Sequence, residues 1–72
     1  MKKLQCYFAS EADGRGRDIL ETSPERAAEV FARWYSNFTP VDGKYRVTVE
    51  WNKFKMVFIV ICDGTYKAVE ER

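Results

Sequence analysis

Apolar and polar residues alternate in two parts of the chain, which is the pattern of half-buried β-strands. The first part, residues 3–9, places Tyr7 on its more polar side. Its apolar side, which we expect to be the buried one, consists of Leu4, Cys6 and Phe8. The second part, residues 44–51, has an apolar residue at every second position. A weaker strand is expected at residues 18–22, after a turn that contains two glycines.

Residues 22–38 carry the signals of an amphipathic helix. Ser23 is a suitable N-cap residue, and Pro24 suits the first helical position. At about 100° per residue, the apolar side chains gather on one face. That face consists of Ala27, Val30, Phe31, Trp34 and Phe38. Glu29 and Arg33 fall on the opposite, polar face, four residues apart in the order that favours an ion pair. The following segment, TPVDG, ends the helix.

The rest of the chain predicts three strands joined by two tight turns. Residues 52–53 form a two-residue turn between the alternating strand and an apolar run at residues 54–62. The Asp-Gly pair at residues 63–64 is a stronger hairpin signal, because a type I′ turn requires positive φ at both of its central residues. A short last strand follows at residues 65–70.

These elements predict one small α+β domain that spans residues 1–72. Their order is β-(β)-α-β-β-β, where the second strand is the weak one. The simplest packing is a single α-helix on one face of a small antiparallel sheet of four to five strands. A chain of 72 residues is near the lower limit for an autonomous core, so its stability is expected to be modest.

The turn at residues 52–53 predicts the register of the central hairpin and thereby divides its side chains between two faces. In that register Trp51 opposes Phe54 and Tyr45 opposes Val60. One face is almost entirely apolar and is expected to form the core beneath the helix. It collects Tyr45, Val47, Val49, Trp51, Phe54, Met56, Phe58 and Val60.

The other face of the hairpin carries a second set of apolar side chains, for which the sequence offers no second helix as cover. With a two-residue turn at 63–64, Tyr66 opposes Ile61 and joins this set. Tyr7 joins it as well if the first strand lies nearby. The predicted apolar stripe consists of Val57, Ile59, Ile61 and Tyr66. Its basic rim consists of Lys44, Arg46 and Lys55.

The sequence leaves three explanations for the apolar stripe. In the first, the long stems of the Lys and Arg side chains lie over the aliphatic residues. In the second, the chain associates with itself through this face or through a sheet edge. In the third, a different protein binds there, because an apolar centre with a polar rim suits an interface.

Composition narrows the possible functions. The net charge is +1, with 12 basic and 11 acidic residues, which argues against a strong non-specific nucleic-acid binder. Histidine is absent, which removes the usual general base and most zinc sites. Cys6 and Cys62 lie inside apolar runs and are expected to be buried, reduced thiols in the cytoplasm. We expect no membrane span and no signal peptide, because the apolar runs are too short.

The candidate chemical groups have simpler explanations. The loop from Asp13 to Arg17 has two glycines between basic residues, which suits a phosphate, but such loops normally run directly into a helix. A mobile hairpin loop is the better interpretation. Cys62 has no neighbouring base in the sequence, so a buried structural thiol is expected. The acidic residues lack the spacing of a calcium site. The sequence therefore predicts no catalytic residue, no cofactor and no metal.

The sequence favours a non-enzymatic interaction protein that binds a protein partner or forms a homodimer through the apolar stripe. The partner-binding candidates are Val57, Ile59, Ile61, Tyr66, Arg46, Lys44 and Tyr7. The alternative is weak binding of nucleic acid, in which the same basic and aromatic residues hold a single strand by charge and stacking. In size and single-domain layout the chain resembles the small accessory proteins of phages and other mobile elements. Some of those proteins inhibit host proteins by surface binding, but the resemblance rests on gross features and assigns no residue.

Overall fold

The structure is a computed structural model that describes residues 3–11, 14–36 and 42–71. The elements are β1 (Gln5–Ser10), β2 (Gly16–Glu21), α1 (Pro24–Trp34), β3 (Lys44–Trp51), β4 (Phe54–Cys62) and β5 (Tyr66–Glu70). The five strands form one antiparallel sheet in the order β2-β1-β3-β4-β5, and α1 packs on one of its faces. This confirms the predicted α+β class. Asp13, Phe38 and Pro40 lie outside the described residues.

The hairpin of β3 and β4 has the predicted register. Trp51 pairs with Phe54, and Tyr45 pairs with Val60. In the turn, Asn52 adopts a φ of 50°, a left-handed conformation that asparagine tolerates better than most residues. The division of the hairpin side chains between two faces is therefore confirmed, because side chains alternate strictly along each strand.

Helix α1 begins at the predicted residue and ends before the predicted one. The Ser23 hydroxyl accepts a hydrogen bond from the amide of Arg26 at 3.2 Å, and Pro24 follows as the first helical residue. An N-cap of this kind contributes about 1 kcal/mol. Tyr35 is the C-cap, so the last helical residue is Trp34.

The buried face of helix α1 overlaps the predicted one, since Ala27 and Phe31 are buried and Val30 packs against the core, but it is shifted around the helix. The residues that it buries are mostly small: Ala27, Ala28, Phe31 and Ala32. The sequence predicts Trp34 in the core, but its side chain is 67% exposed. Alanines let a helix lie close to a sheet, whereas an indole ring between the two layers would hold them apart. The buried face is therefore shifted toward the side of Ala28 and Ala32, and Trp34 lies at its margin.

The core lies where α1 crosses the middle of the sheet. The largest fully buried side chains there are Phe58, Val47, Val49 and Val60. The 11 residues of α1 span about 16 Å. The nine residues of β4 span about 30 Å. The helix cannot cover the whole hairpin, so Phe54, which is predicted in the core, is 63% exposed at the turn end.

Strand β1 turns its less apolar side toward the helix. Tyr7 and Ala9 are buried there, and the Tyr7 ring meets Trp51 edge-on with 5.3 Å between the ring centroids. Ala9 pairs with Val49 of the core layer, which determines the direction of its neighbours. The prediction that Tyr7 joins the apolar stripe is therefore wrong. The side chains that β1 turns away from the helix are those of Cys6, Phe8 and Ser10.

The loop between β4 and β5 contains three residues, 63–65, and not the two predicted. A type I′ turn requires two successive residues with positive φ, and only Gly64, at 103°, has one in this loop. Cys62 consequently pairs with Tyr66, one position away from the predicted register. Such a slip exchanges the two faces of a strand. Tyr66 lies on the helix side, so its placement in the apolar stripe is wrong, and Val69 faces outward.

Candidate functional site

The sheet face that points away from α1, which we call the open face, is covered by no element among the described residues. In its β4–β5 half it carries four aliphatic side chains: Val57, Ile59, Ile61 and Val69. The first three are partly buried by their neighbours, whereas Val69 is 46% exposed. The sheet therefore brings together three residues of the predicted stripe and adds Val69 to them.

A second apolar patch lies on the β1–β2 half of the open face, and sequence reasoning did not find it. Cys6 pairs with Leu20, and Phe8 pairs with Asp18. Leu20 is 65% exposed and Phe8 is 39% exposed. The sequence feature that indicates this patch is Ala9, whose small side chain suits a position beneath a helix. Because side chains alternate along a strand, the residues next to Ala9 then point to the open face.

An ion pair crosses β4 on the open face. The Nε of Arg46 lies 2.9 Å from a carboxylate oxygen of Glu71. Arg46 lies opposite Ile59 on one side of β4. On the other side, the amide of Glu71 donates to the carbonyl of Val57 at 2.8 Å. The ion pair therefore crosses β4 between Ile59 and Val57. This supports in part the account in which basic stems cover the stripe. Val69 lies beyond the ion pair and stays exposed.

The charged residues of the open face are divided between its two ends. At one end, Lys44 and Lys67 stand on the strands to either side of β4. Toward the other end, Asp18 and Glu50 stand on the strands to either side of β1, with Lys55 next to Glu50. One end is therefore basic and the other is mostly acidic.

The two cysteines are free and occupy opposite faces of the sheet. The prediction that Cys6 is buried is wrong, because β1 turns it to the open face, where it is exposed. Its pKa is nevertheless raised, chiefly by desolvation against its neighbours and then by the negative charge of Asp18. The Cys6 thiol is therefore protonated at neutral pH. On the helix side, a hydrogen bond with Cys62 is the main cause that raises the pKa of Tyr66, while the positive charge of Arg33 acts in the opposite direction.

We expect Asp18→Asn to lower the pKa of Cys6, because the substitution removes a negative charge that disfavours the thiolate. Desolvation remains, so the pKa should stay above its ordinary value. At pH 8, alkylation of Cys6 by iodoacetamide should become roughly two- to fivefold faster. Peptide mass spectrometry across pH measures the rate, and Cys62 in the same sample is the internal control. An unchanged pH profile for Cys6 would show that Asp18 does not act on it.

Glu29 reaches from α1 to the outer edge of β5. The amide of Glu71 points toward β4, and because antiparallel pairs alternate, the amide of Ala68 points away from it. An Oε of Glu29 accepts a hydrogen bond from that amide at 2.9 Å. The side chain is only 17% exposed and also pairs with Arg26 at 3.3 Å. The predicted solvent-side pairing with Arg33 is therefore wrong.

A groove of about 530 Å³, which we call the α1–β5 groove, runs between the helix and the turn before β5. Arg33 and Trp34 line it from the helix, and Thr65 and Tyr66 line it from the sheet. The guanidinium carbon of Arg33 lies 5.1 Å from the centroid of the Trp34 ring. The Tyr66 ring stacks on Tyr45 with 6.4 Å between centroids. Tyr66, which is predicted in the stripe, thus belongs to this groove.

The glycine-containing segment 13–17 leads into β2, which begins at Gly16, and residues 14–17 of the segment are described. The guanidinium carbon of Arg17 lies 4.0 Å from the centroid of the Tyr35 ring. A Cβ at Gly16 would lie 2.4 Å from the carbonyl oxygen of Ala9, closer than atoms can approach. Gly16 and Arg17 therefore have packing roles.

Within residues 3–11, 14–36 and 42–71, no three Cys, Asp or Glu side chains are grouped to hold a metal ion. The described helix is too short and too polar to cross a bilayer. The chain matches no protein-family model, no curated protein and no solved structure. Its function has therefore to be inferred from its own surfaces.

Proposed function

We propose that this protein is a non-enzymatic interaction module that binds a second copy of itself through the open face. The observation that carries the proposal is the pair of apolar patches on that face, one on β4–β5 and one on β1–β2, with no described element over either. Sheets of this kind ordinarily bury one face and expose a polar one. Exposed apolar patches with a charged rim are typical of protein interfaces.

The charge distribution favours a second copy over a partner of one charge sign. The open face carries both signs in near balance, and they are separated toward opposite ends. A two-fold axis in the plane of the interface and perpendicular to the strands lays each strand over its own copy in the reversed direction, which brings Lys44 of β3 over Glu50 of β3. Opposite charges then meet at both rims, while the aliphatic centres meet in the middle.

The size of the face implies a weak dimer. Five strands of about six residues present a flat area of about 20 Å by 20 Å per copy. Two such flat areas sum to about 800 Å², which is below the ~1,200 Å² at the lower end of stable interfaces. Two sheets packed at about 30° to each other, as in β-sandwiches, provide a geometry for the contact. We therefore expect dissociation in the micromolar range.

The thiols favour a reducing compartment such as the cytoplasm. Cys6 and Cys62 lie on opposite faces of the sheet and are both free. A disulfide requires Cβ atoms about 3.5–4.5 Å apart, so these two residues do not form one within the chain. Free thiols persist where glutathione and thioredoxin keep them reduced.

The structure gives less support for nucleic-acid binding by the open face than the sequence does. Tyr7 and Tyr66, the two rings expected to stack on bases, face the helix side. Among the described residues of the open face, Phe8 is the one aromatic side chain. Binding of single strands relies on several such rings together with a basic groove.

Val69→Lys should abolish the dimer, because it places a charge in the exposed part of the aliphatic patch. The measurement is solution mass by sedimentation or light scattering, from low to high micromolar concentration. The wild-type mass should rise above 8.4 kDa with concentration, and the variant should stay at that value. Ile59→Lys should have the same effect.

The matched control is Glu70→Gln, which changes the net charge by the same amount at the neighbouring position on the other face of β5. It should dimerise like the wild type. A wild-type mass that stays at 8.4 kDa at every concentration would refute self-association. So would dimerisation that Val69→Lys leaves intact while circular dichroism shows an unchanged fold.

A further inference from the structure

We infer that the α1–β5 groove is a binding site for a planar aromatic ring that carries an anionic group, the chemistry that a nucleotide presents. The groove lies on the helix side of the sheet, so this site is separate from the open face. Its volume, about 530 Å³, is within the range of small-molecule pockets, about 300–1,000 Å³.

The cation for the anionic group is Arg33. The other arginine of the groove, Arg26, is neutralised by Glu29 at 3.3 Å and by Glu21 at 3.9 Å. Among the described residues, Arg33 has no carboxylate partner. Its charge therefore stands uncompensated at the groove, where it can bind phosphate or carboxylate in a bidentate manner.

The stacking surface is Trp34. Its side chain is 67% exposed, although tryptophan has the largest apolar surface of any residue. Arg33 lies against its ring, so the cation and the aromatic plane are presented together. Aromatic side chains beside arginine hold bases by stacking and cation–π contact.

The strand side of the groove offers a rigid wall and hydrogen-bonding groups. Tyr66 is held by its stacking on Tyr45, and the hydroxyls of Thr65 and Tyr66 can donate or accept. A Cβ placed at Gly64 would meet no atom within 4 Å, so the turn leaves this side of the groove open. A ligand whose ring stacks on Trp34 and whose anionic group binds Arg33 lies on the helix wall and faces these hydroxyl groups across the groove.

The same chemistry exists in a free nucleotide and in one residue of a single-stranded nucleic acid. The test uses both. Trp51→Phe leaves Trp34 as the sole tryptophan, since the chain has two. In that background, AMP should quench Trp34 fluorescence in a saturable way. Adenosine and inorganic phosphate, which each carry half of the chemistry, should bind at least about tenfold more weakly.

Two variants separate the contributions. Arg33→Gln should reduce AMP affinity to that of adenosine and leave adenosine binding unchanged. Trp34→Leu should weaken both about tenfold, measured by calorimetry because the reporter is lost. A short oligodeoxyadenylate that binds more tightly than AMP, with steep loss in salt, identifies a single strand as the source. An oligonucleotide no tighter than AMP identifies the free nucleotide.

The inference is overturned if neither AMP nor the oligonucleotide binds at low salt up to millimolar concentration. It is also overturned if binding occurs but is unaffected by Arg33→Gln and Trp34→Leu. Both side chains are exposed, so these variants should fold. Val69→Lys should leave AMP binding unchanged, which keeps this result independent of self-association.

Discussion

Phe58→Ala should unfold most of the protein at room temperature. The Phe58 side chain is fully buried in β4 beneath the helix. Truncation of such a ring costs about 3–5 kcal/mol, because it removes apolar burial and leaves a cavity. A single core in a chain of this size rarely supplies more than about 3–5 kcal/mol, so the truncation removes most or all of the free energy of unfolding. Urea denaturation followed by circular dichroism measures the loss.

Phe54→Ala is the matched control, since it makes the same change on the same strand and the same face. Phe54 is 63% exposed, so its truncation should cost less than about 1 kcal/mol. Where Phe58→Ala does not fold at all, Phe58→Leu removes less volume and keeps the comparison measurable. Equal losses at the two positions would contradict the burial described here.

Glu29→Ala should destabilise the fold and expose a sheet edge. The substitution removes a charged hydrogen bond to the Ala68 amide, worth about 1.5–3 kcal/mol. That amide points away from β4, so its protection against hydrogen exchange should disappear. An unpaired edge amide is also a template for pairing with another chain, so light scattering should increase at high concentration.

Two controls isolate the role of Glu29. Glu29→Gln keeps an acceptor oxygen and should retain part of the protection of the Ala68 amide, whereas Glu25→Ala on the exposed first turn should retain all of it. The double variant Glu29→Ala, Val69→Lys distinguishes edge pairing from association through the open face, because only the former should persist in it. Unchanged exchange at Ala68 in Glu29→Ala would contradict the capping contact.

The two hairpins show how accurately the turn residues predict the register of the strands that they connect. The turn at residues 52–53 has two residues, as its sequence indicates, and the register of β3 and β4 follows from it. The Asp-Gly turn has the stronger local signal but adopts a three-residue loop, because only its glycine takes positive φ. This single added residue moves Tyr66 to the helix side and brings Val69 to the open face.

The helix and the first strand show the limit of hydrophobicity as a guide to burial. Each turns one large apolar side chain, Trp34 or Phe8, away from the core and buries alanines there instead, such as Ala28 and Ala9. The reason is distance, since a helix lies close to a sheet only where both surfaces are small or flat. Trp34 and Phe8 are displaced to the flank and the open face by that requirement.

The sequence by itself determined the α+β class, the start of the helix at Ser23 and the two faces of the central hairpin. Each of these follows from local chemistry, namely capping, turn preference and side-chain alternation. Only the tertiary structure decided which side of β1 is buried, which face β5 presents and where the helix stops covering the sheet. These features depend on the distance between the helix and the sheet and on the length of α1 relative to β4. Residues that are distant in sequence determine both quantities together. The apolar run at residues 54–62 is therefore divided between a core beneath the helix, an exposed turn end and a face available to a second copy.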